Sequence, residues 1–205
     1  QNPFGFGRPP ASVDFTPDGS HFAIVIDGHL KVYDRLANTD NVLDLKLDSL
    51  RQAAFGPDGR VWIIADKDVY VTRVPLSEKD LLRWENSTAE LTGLGAMKSL
   101  AVGKSWVVVG GLDGSARIFP ASVAADAKEL TPTTVSLSSR VSLPAVAIAP
   151  NDSIACVGTD RGTGFIISLP TGKVLASWGA HNDAVTAARF LAPGPVSYTH
   201  LRAHE

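Results

Sequence analysis

Residues Leu143 to Phe190 read LPAVAIAPNDSIACVGTDRGTGFIISLPTGKVLASWGAHNDAVTAARF. A short apolar run ends in the polar turn Pro150-Asn151-Asp152, and a second run spans Ile154 to Gly158. A Thr-Asp-Arg-Gly turn leads to a third run, Phe165 to Leu169, and a Thr-Gly turn to a fourth, Val174 to Trp178. Four short apolar runs joined by tight turns predict one antiparallel meander of four strands. The unit closes with Gly179-Ala180-His181, and a new run begins at Ala184.

The rest of the chain repeats this order. In the first unit Ser12 to Phe15 alternates, Thr16-Pro17-Asp18-Gly19 turns, and His21 to Ile26 is apolar. Asp27-Gly28 then forms a two-residue turn, since both residue types tolerate positive φ. Leu30 to Asp34 alternates again, and Asn41 to Leu47 supplies the fourth strand. The second unit starts at Arg51, with strands over Ala53 to Phe55, Val61 to Ala65 and Val69 to Val74. Its fourth strand falls on Leu81 to Trp84 or on Ala89 to Leu94. The third runs through Ser99 to Val102, Trp106 to Gly110, Ala116 to Phe119 and a strand near Thr133 to Leu137.

The last apolar residue of each first strand is Phe15, Phe55, Val102, Ile148 or Phe190, at spacings of 40, 47, 46 and 42 residues. A period in the forties with four strands per unit predicts propeller blades. A blade is apolar on both faces and cannot cover both alone, whereas blades stacked around an axis cover each other. The expected fold is therefore all-β, a β-propeller of about four blades in an incomplete arc. Units lie near 11–47, 51–94, 98–137 and 143–178, and a fifth starts at 184. Helix should be nearly absent, because no window sustains a 3.6-residue period. Phe15 and Phe55, nearest the axis, are both expected to be core residues. An open arc exposes an apolar face at each end, so it is expected to self-associate where a closed ring would not.

Pro17-Asp18-Gly19 and Pro57-Asp58-Gly59 resemble the turn after the first strand of a WD repeat. Tyr33-Asp34 resembles its Trp-Asp pair, and Ala180-His181 its Gly-His. The resemblance covers roughly residues 11 to 194 and implies a WD-repeat propeller. No unit carries a true Trp-Asp; the others end in Val74-Pro75, Phe119-Pro120 and Leu169-Pro170. In the family a His, a turn Asp, a Ser or Thr and the Trp form a buried hydrogen-bonded network. Its members are scattered here, so blade rigidity is expected to rest on apolar packing.

An apolar content of 44% and a charged content of 20% fit a globular domain with a substantial core. A net charge of −2 gives no reason to expect nucleic acid or anionic lipid as a partner. One cysteine makes neither an internal disulfide nor a thiolate metal site, and nothing points to an oxidising compartment. No run reaches the roughly 20 apolar residues that cross a bilayer. Residues 1–10, rich in Gly and Pro, read as a linker or the remnant of a preceding unit. The chain opens on Gln1 and not on Met, so the natural N-terminus, with any targeting segment, is expected upstream. VSYTHLRAHE, residues 196–205, resembles translated sequencing adapter, and 195–205 is set aside from the fold. The protein is then expected to continue past Gly194.

Chemistry is sparse. Cys156 lies in an apolar strand with no base or cation beside it, the setting of a structural thiol. His181 precedes a first strand and reads as a structural hydrogen-bonding residue, and His21 and His29 as exposed polar residues around a hairpin. No short ligand spacing links the three into a zinc site. Asp27, Asp66, Asp113 and Asp160 recur once per unit between second and third strands, which argues for turn chemistry over calcium or acid–base work. Gly158 to Gly164 (GTDRGTG) lacks the lysine and helix of a phosphate loop and reads as a wide hairpin turn. Lys98, Lys104, Arg117 and Arg140 are dispersed and form no basic stripe with aromatics. No catalytic, metal or cofactor-binding residue is assigned, and no cofactor or small-molecule substrate is expected.

In a meander the turns after strands two and four emerge at the same end. Asp27, Lys67, Asp113 and Arg161 should therefore share one face with Arg51, Arg140 and His181. Polar loops on a rigid sheet are where binding concentrates, and this is the usual interaction face of the family that the chain resembles. That resemblance implies a non-catalytic scaffold for other proteins, cytoplasmic, with no nucleic acid bound and no membrane segment in this stretch. A second resemblance gives an alternative. Val157-Gly158-Thr159, Ala180-His181, Val185-Thr186 and Phe190 look like the final blades of the membrane-anchored exchange factor that activates the coat-vesicle GTPase at the endoplasmic reticulum. It would place the chain on the cytosolic face of that membrane, although no residue matches the factor's catalytic loop. If the adapter reading holds, deleting Pro195 to Glu205 leaves solubility and any binding unchanged; a deletion that unfolds the domain or abolishes binding overturns it.

Overall fold

The computed structural model describes residues 9–35, 43–73, 81–85, 95–124, 127, 129–139, 141–179 and 182–190. The regular elements among them are all strands. β1 (Ser12–Phe15), β2 (His21–Ile26), β3 (His29–Asp34) and β4 (Leu43–Lys46) form the first sheet. β5 (Leu50–Phe55), β6 (Arg60–Ala65), β7 (Asp68–Arg73) and β8 (Leu82–Glu85) form the second. β9 (Met97–Val102), β10 (Trp106–Gly111), β11 (Ser115–Pro120) and β12 (Thr133–Ser136) form the third. β13 (Ala145–Ile148), β14 (Ile154–Gly158), β15 (Thr163–Ser168) and β16 (Val174–Gly179) form the fourth. Each is an antiparallel meander in sequence order. The second unit's fourth strand is the Leu81 to Trp84 candidate, shifted by one residue; Ala89 to Leu94 lies outside the described residues.

Local chemistry makes the turns. Asp27 and Gly28 have φ of 49° and 78°, the paired left-handed conformation that a two-residue hairpin needs. Asp66, first residue of the turn between β6 and β7, takes the left-handed conformation with φ of 48°. The turn between β14 and β15 is closed by Thr159, whose Oγ1 accepts the amides of Arg161 at 3.3 Å and Thr163 at 2.9 Å. GTDRGTG is thus a hairpin turn.

Between the sheets lie three apolar layers. Val25, Leu30 and Val32 of the first blade meet Phe55, Val61 and Ile63 of the second. Trp62, Ile64 and Val71 meet Met97, Val107 and Phe119 of the third. Val108 and Ile118 meet Leu143, Val157 and Ile167 around the fourth. Alternation along β6 therefore sends Val61 and Ile63 one way and Trp62 and Ile64 the other, and all six of its residues are buried.

The first strands of successive blades lie side by side, and polar side chains fasten them. Ser12 Oγ accepts the Ala53 amide at 3.2 Å, and Asp14 Oδ2 accepts that of Phe55 at 2.7 Å. Gln52 takes both the amide and the carbonyl of Leu100 at 3.0 Å each. Ser99 Oγ donates to Leu143 O at 2.6 Å. Each bond satisfies backbone that faces the axis, where no further strand is available to pair.

Ala184 to Phe190 forms no regular strand. Val185 N nonetheless donates to Thr159 O at 2.9 Å, as Met97 N does to Asp66 O and Leu143 N to Gly111 O. Val185 is fully buried against Gly158, where an added Cβ would come within 2.4 Å of it. The segment thus meets the fourth blade as the starts of the third and fourth units meet their predecessors.

Phe15 departs from expectation. Phe55 is 7% exposed, but Phe15 is 57% exposed. The two hold the same place in the repeat, at the end of a first strand. Phe55 packs against the first blade. Phe15 has no preceding blade among the described residues, and stands beside Phe22 (5.9 Å between centroids), which stacks on Tyr33 (4.9 Å). Phe55→Ala should therefore destabilise by about 3–5 kcal/mol and Phe15→Ala by under about 1 kcal/mol. Urea unfolding of both variants checks this, and equal losses would mean that Phe15 is covered.

Candidate protein-binding face

One end of the arc is tied together by backbone. In the second, third and fourth units the turn after the second strand bonds to the entry of its own blade: Asp66 N to Ser49 O at 3.2 Å, Leu112 N to Ala96 O at 2.8 Å and Asp160 N to Ser142 O at 3.0 Å. The same turns accept bonds from the next blade's entry through Asp66 O and Gly111 O. Asp27, Lys67, Asp113 and Arg161 lie on these turns, and Arg51 is the second residue of β5. Arg140 and His181 lie outside the described residues.

The five described residues fall into two groups. Asp27, Arg51 and Arg161 are exposed, and their side chains make no hydrogen bond or ion pair among the described residues. Lys67 and Asp113 are engaged within the chain. Lys67 pairs with Glu85, and its hydrogen bond and charge hold that carboxyl below its usual range. Glu85 also meets Arg83 at 3.3 Å; Arg83 reaches Asp68 at 2.8 Å, and Tyr70 donates to Asp68 at 3.1 Å. Burial, then the Asp68 charge, pushes the Tyr70 phenol up.

Asp113 receives both terminal nitrogens of Arg117 and the Ser115 amide. Burial pushes its carboxyl up, but the hydrogen bond and charge of Arg117 outweigh this and hold it low. Arg117 is 2% exposed, and its guanidinium lies 5.5 Å over the Trp84 ring, which meets Phe119 edge-on at 5.5 Å. The pair is thus built into the wall between the second and third blades.

Sequence reasoning set Lys98 aside as one of several dispersed cations and left it out of the face. Its partner is Arg51, near enough for the two positive charges to act on each other. The signal was present in the alignment: Arg51 lies four residues before Phe55, and Lys98 four before Val102.

Other candidate chemistry resolves into structure. Ser20 Oγ sits 2.8 Å from His21 Nδ1, and His21 Nε2 is 4.0 Å from Asp34, beside a cleft of about 280 Å³ lined by Thr16, Pro17 and Phe55. This resembles a nucleophile and its base, but Ser20 Oγ donates to Asp18 Oδ1 at 2.8 Å. Ser153 makes the same bond to Asn151 with no histidine near in sequence, so the motif builds a turn. Hydrogen bonds from Thr16 and Ser20 pull the exposed Asp18 carboxyl down to about 2. His21 and His29 are less free than expected: His29 Nδ1 lies 2.6 Å from Asp44. Cys156 is buried, and desolvation pushes its thiol up to about 11, which suppresses the reactive thiolate. Among the described residues no group of three or more His, Cys, Asp or Glu could hold a metal ion, and no helix is long and apolar enough to cross a membrane.

Asp113→Ala should destabilise by about 3 kcal/mol or more, because it strands the buried Arg117 charge. Adding Arg117→Met should recover much of that loss. Denaturant unfolding of the single and double variants checks both, and a loss below about 1 kcal/mol for the single variant would mean that water reaches Arg117.

No protein-family model and no curated protein sequence matches the chain. Solved structures do. Sqt1 from Chaetomium thermophilum, in a crystal structure bound to the N-terminus of ribosomal protein L10, is similar with a TM-score of 0.73 at 19% identity, covering 88% of this chain and 51% of that one. A second Sqt1 structure gives 0.73 and 19%, covering 88% and 49%. A chain of the mitotic checkpoint complex gives 0.69 at 12% identity, covering 91% of this chain and 59% of that one. At these identities the likeness is one of fold, and this chain spans about half the length of the Sqt1 structures. Its fold is that of a WD-repeat β-propeller, represented among the described residues by four blades in an open arc.

Proposed function

We propose that the chain is part of a non-catalytic platform that binds other proteins at the turn end of its blades. The observation that carries this reading is the contrast between the two groups of charges. Lys67 and Asp113 are engaged within the chain, whereas Asp27, Arg51 and Arg161 stand exposed with no side-chain partner among the described residues, Arg51 and Arg161 on segments braced by inter-blade bonds. Charges held on a rigid frame bind at low entropic cost, since little has to be ordered on association. Arg140 and His181 belong to the same proposed face by their place in the repeat. The Sqt1 structure with the N-terminus of ribosomal protein L10 supports the reading by analogy, as a propeller of similar fold that holds a protein segment. Cytoplasmic placement is part of the proposal and rests on the single cysteine, Cys156. No feature of the site favours the exchange-factor alternative.

Peptides selected on the protein from a displayed random library test the proposal. Arg51→Ala and Arg161→Ala should each weaken the selected peptides about three- to tenfold. Lys104→Ala, at the opposite end of the blades, should leave them unchanged. Peptides that respond to Lys104→Ala and ignore the other two would place binding elsewhere.

A further inference from the structure

We infer that the turn end takes an acidic peptide segment, whose carboxylates are held by Arg51 and Lys98 at the mouth of the axis. This rests on the platform reading above and adds the chemistry of the partner.

Both cations occupy β-bulges. On β5, Leu50 pairs with Ala65 and Gln52 with Ile64, so Arg51 is the extra residue. On β9, Met97 pairs with Gly111 and Ser99 with Gly110, so Lys98 is the extra residue. A bulge breaks the ladder locally and re-aims the side chain it carries, and bulges concentrate where a strand serves a site. Here two adjacent first strands carry a cation at the same place in the repeat. The spacing of those strands is set by the paired hydrogen bonds of Gln52 to Leu100, next to both bulges.

Among the described residues the pair lacks a counter-charge. Lys98 is partly stripped of water and also feels the Arg51 charge, and both effects lower its pKa. No carboxylate among the described residues acts on it. Asp113 is taken by Arg117 and Glu85 by Lys67, and no ion pair joins either cation to Asp48, Asp66 or Asp160. Two like charges held together without an anion repel, and an incoming carboxylate relieves that repulsion while gaining its own attraction. Nucleic acid is the poorer fit. The chain has a net charge of −2, and the exposed ring Phe15 ends β1 at the opposite end of the blade, away from the cations.

Fluorescein-labelled hexaglutamate, followed by anisotropy, tests this. The peptide should bind and hexalysine should not, and binding should weaken as salt is raised. Arg51→Ala and Lys98→Ala should each weaken it about three- to tenfold, Lys98→Arg should retain it, and Lys104→Ala should leave it unchanged. Circular dichroism confirms that each variant is folded. Affinity unchanged in both alanine variants, an equal loss in Lys104→Ala, or tighter binding of oligothymidylate overturns the inference. Failure of hexaglutamate to bind overturns it too, while the library peptides still decide separately whether the turn end is a binding face.

Discussion

β6 has no solvated side: Val61 and Ile63 face the first blade, Trp62 and Ile64 face the third, and every residue between Arg60 and Ala65 is buried. A sheet with such a strand at its centre is stable only between two others. The same holds for β10, where Val107 and Val109 pack toward the second blade and Val108 toward the fourth. Each inter-blade layer is thus shared property, and removing one blade uncovers its neighbours. The exposure of Phe15 shows the local consequence of a blade face with no neighbour among the described residues.

Apolar layers alone would let the blades slide, since their attraction has little direction. Direction comes from a few polar contacts between first strands: Ser12 and Asp14 to the second blade, Gln52 to the third, Ser99 to the fourth. At the turn end the backbone bonds through Asp66, Gly111 and Thr159 repeat the fastening. In place of a regular His–Asp–Ser–Trp network, the wall between the second and third blades holds a different device, the Arg117–Asp113 pair under Trp84. Rigidity near the axis is what makes the proposed binding end usable. Side chains there need not be ordered by the partner, because the strands beneath them already are.

Much of this was legible from residues close in sequence. Asp27-Gly28 declares a left-handed hairpin because its φ values are a local property of Asp and Gly. Runs such as Val107 to Val109 declare buried strands, and the positions of Phe15, Phe55, Val102 and Ile148 declare the repeat. The candidate face was legible only in outline. Alternating turns predict which end Lys67 and Asp113 occupy, but not that Glu85 and Arg117 claim them. Nor does Phe15 differ from Phe55 in its local sequence signal; they differ in what stands opposite.

By itself the sequence determined most strands of the four units, their order within each meander and the existence of blades, because all three follow from side-chain alternation and turn conformation over a few residues; it left the second unit's fourth strand open, and the run from Ala184 forms no regular strand. Tertiary structure alone decided which aromatic is covered, which charge is spent in the wall and which is left facing outward. Arg51 and Lys98, 47 positions apart in the chain, become one electrostatic unit only when β5 and β9 lie side by side and each bulges at its cation. Coulomb interaction depends on separation in space, and stacking two blades sets a separation that spacing along the chain does not encode.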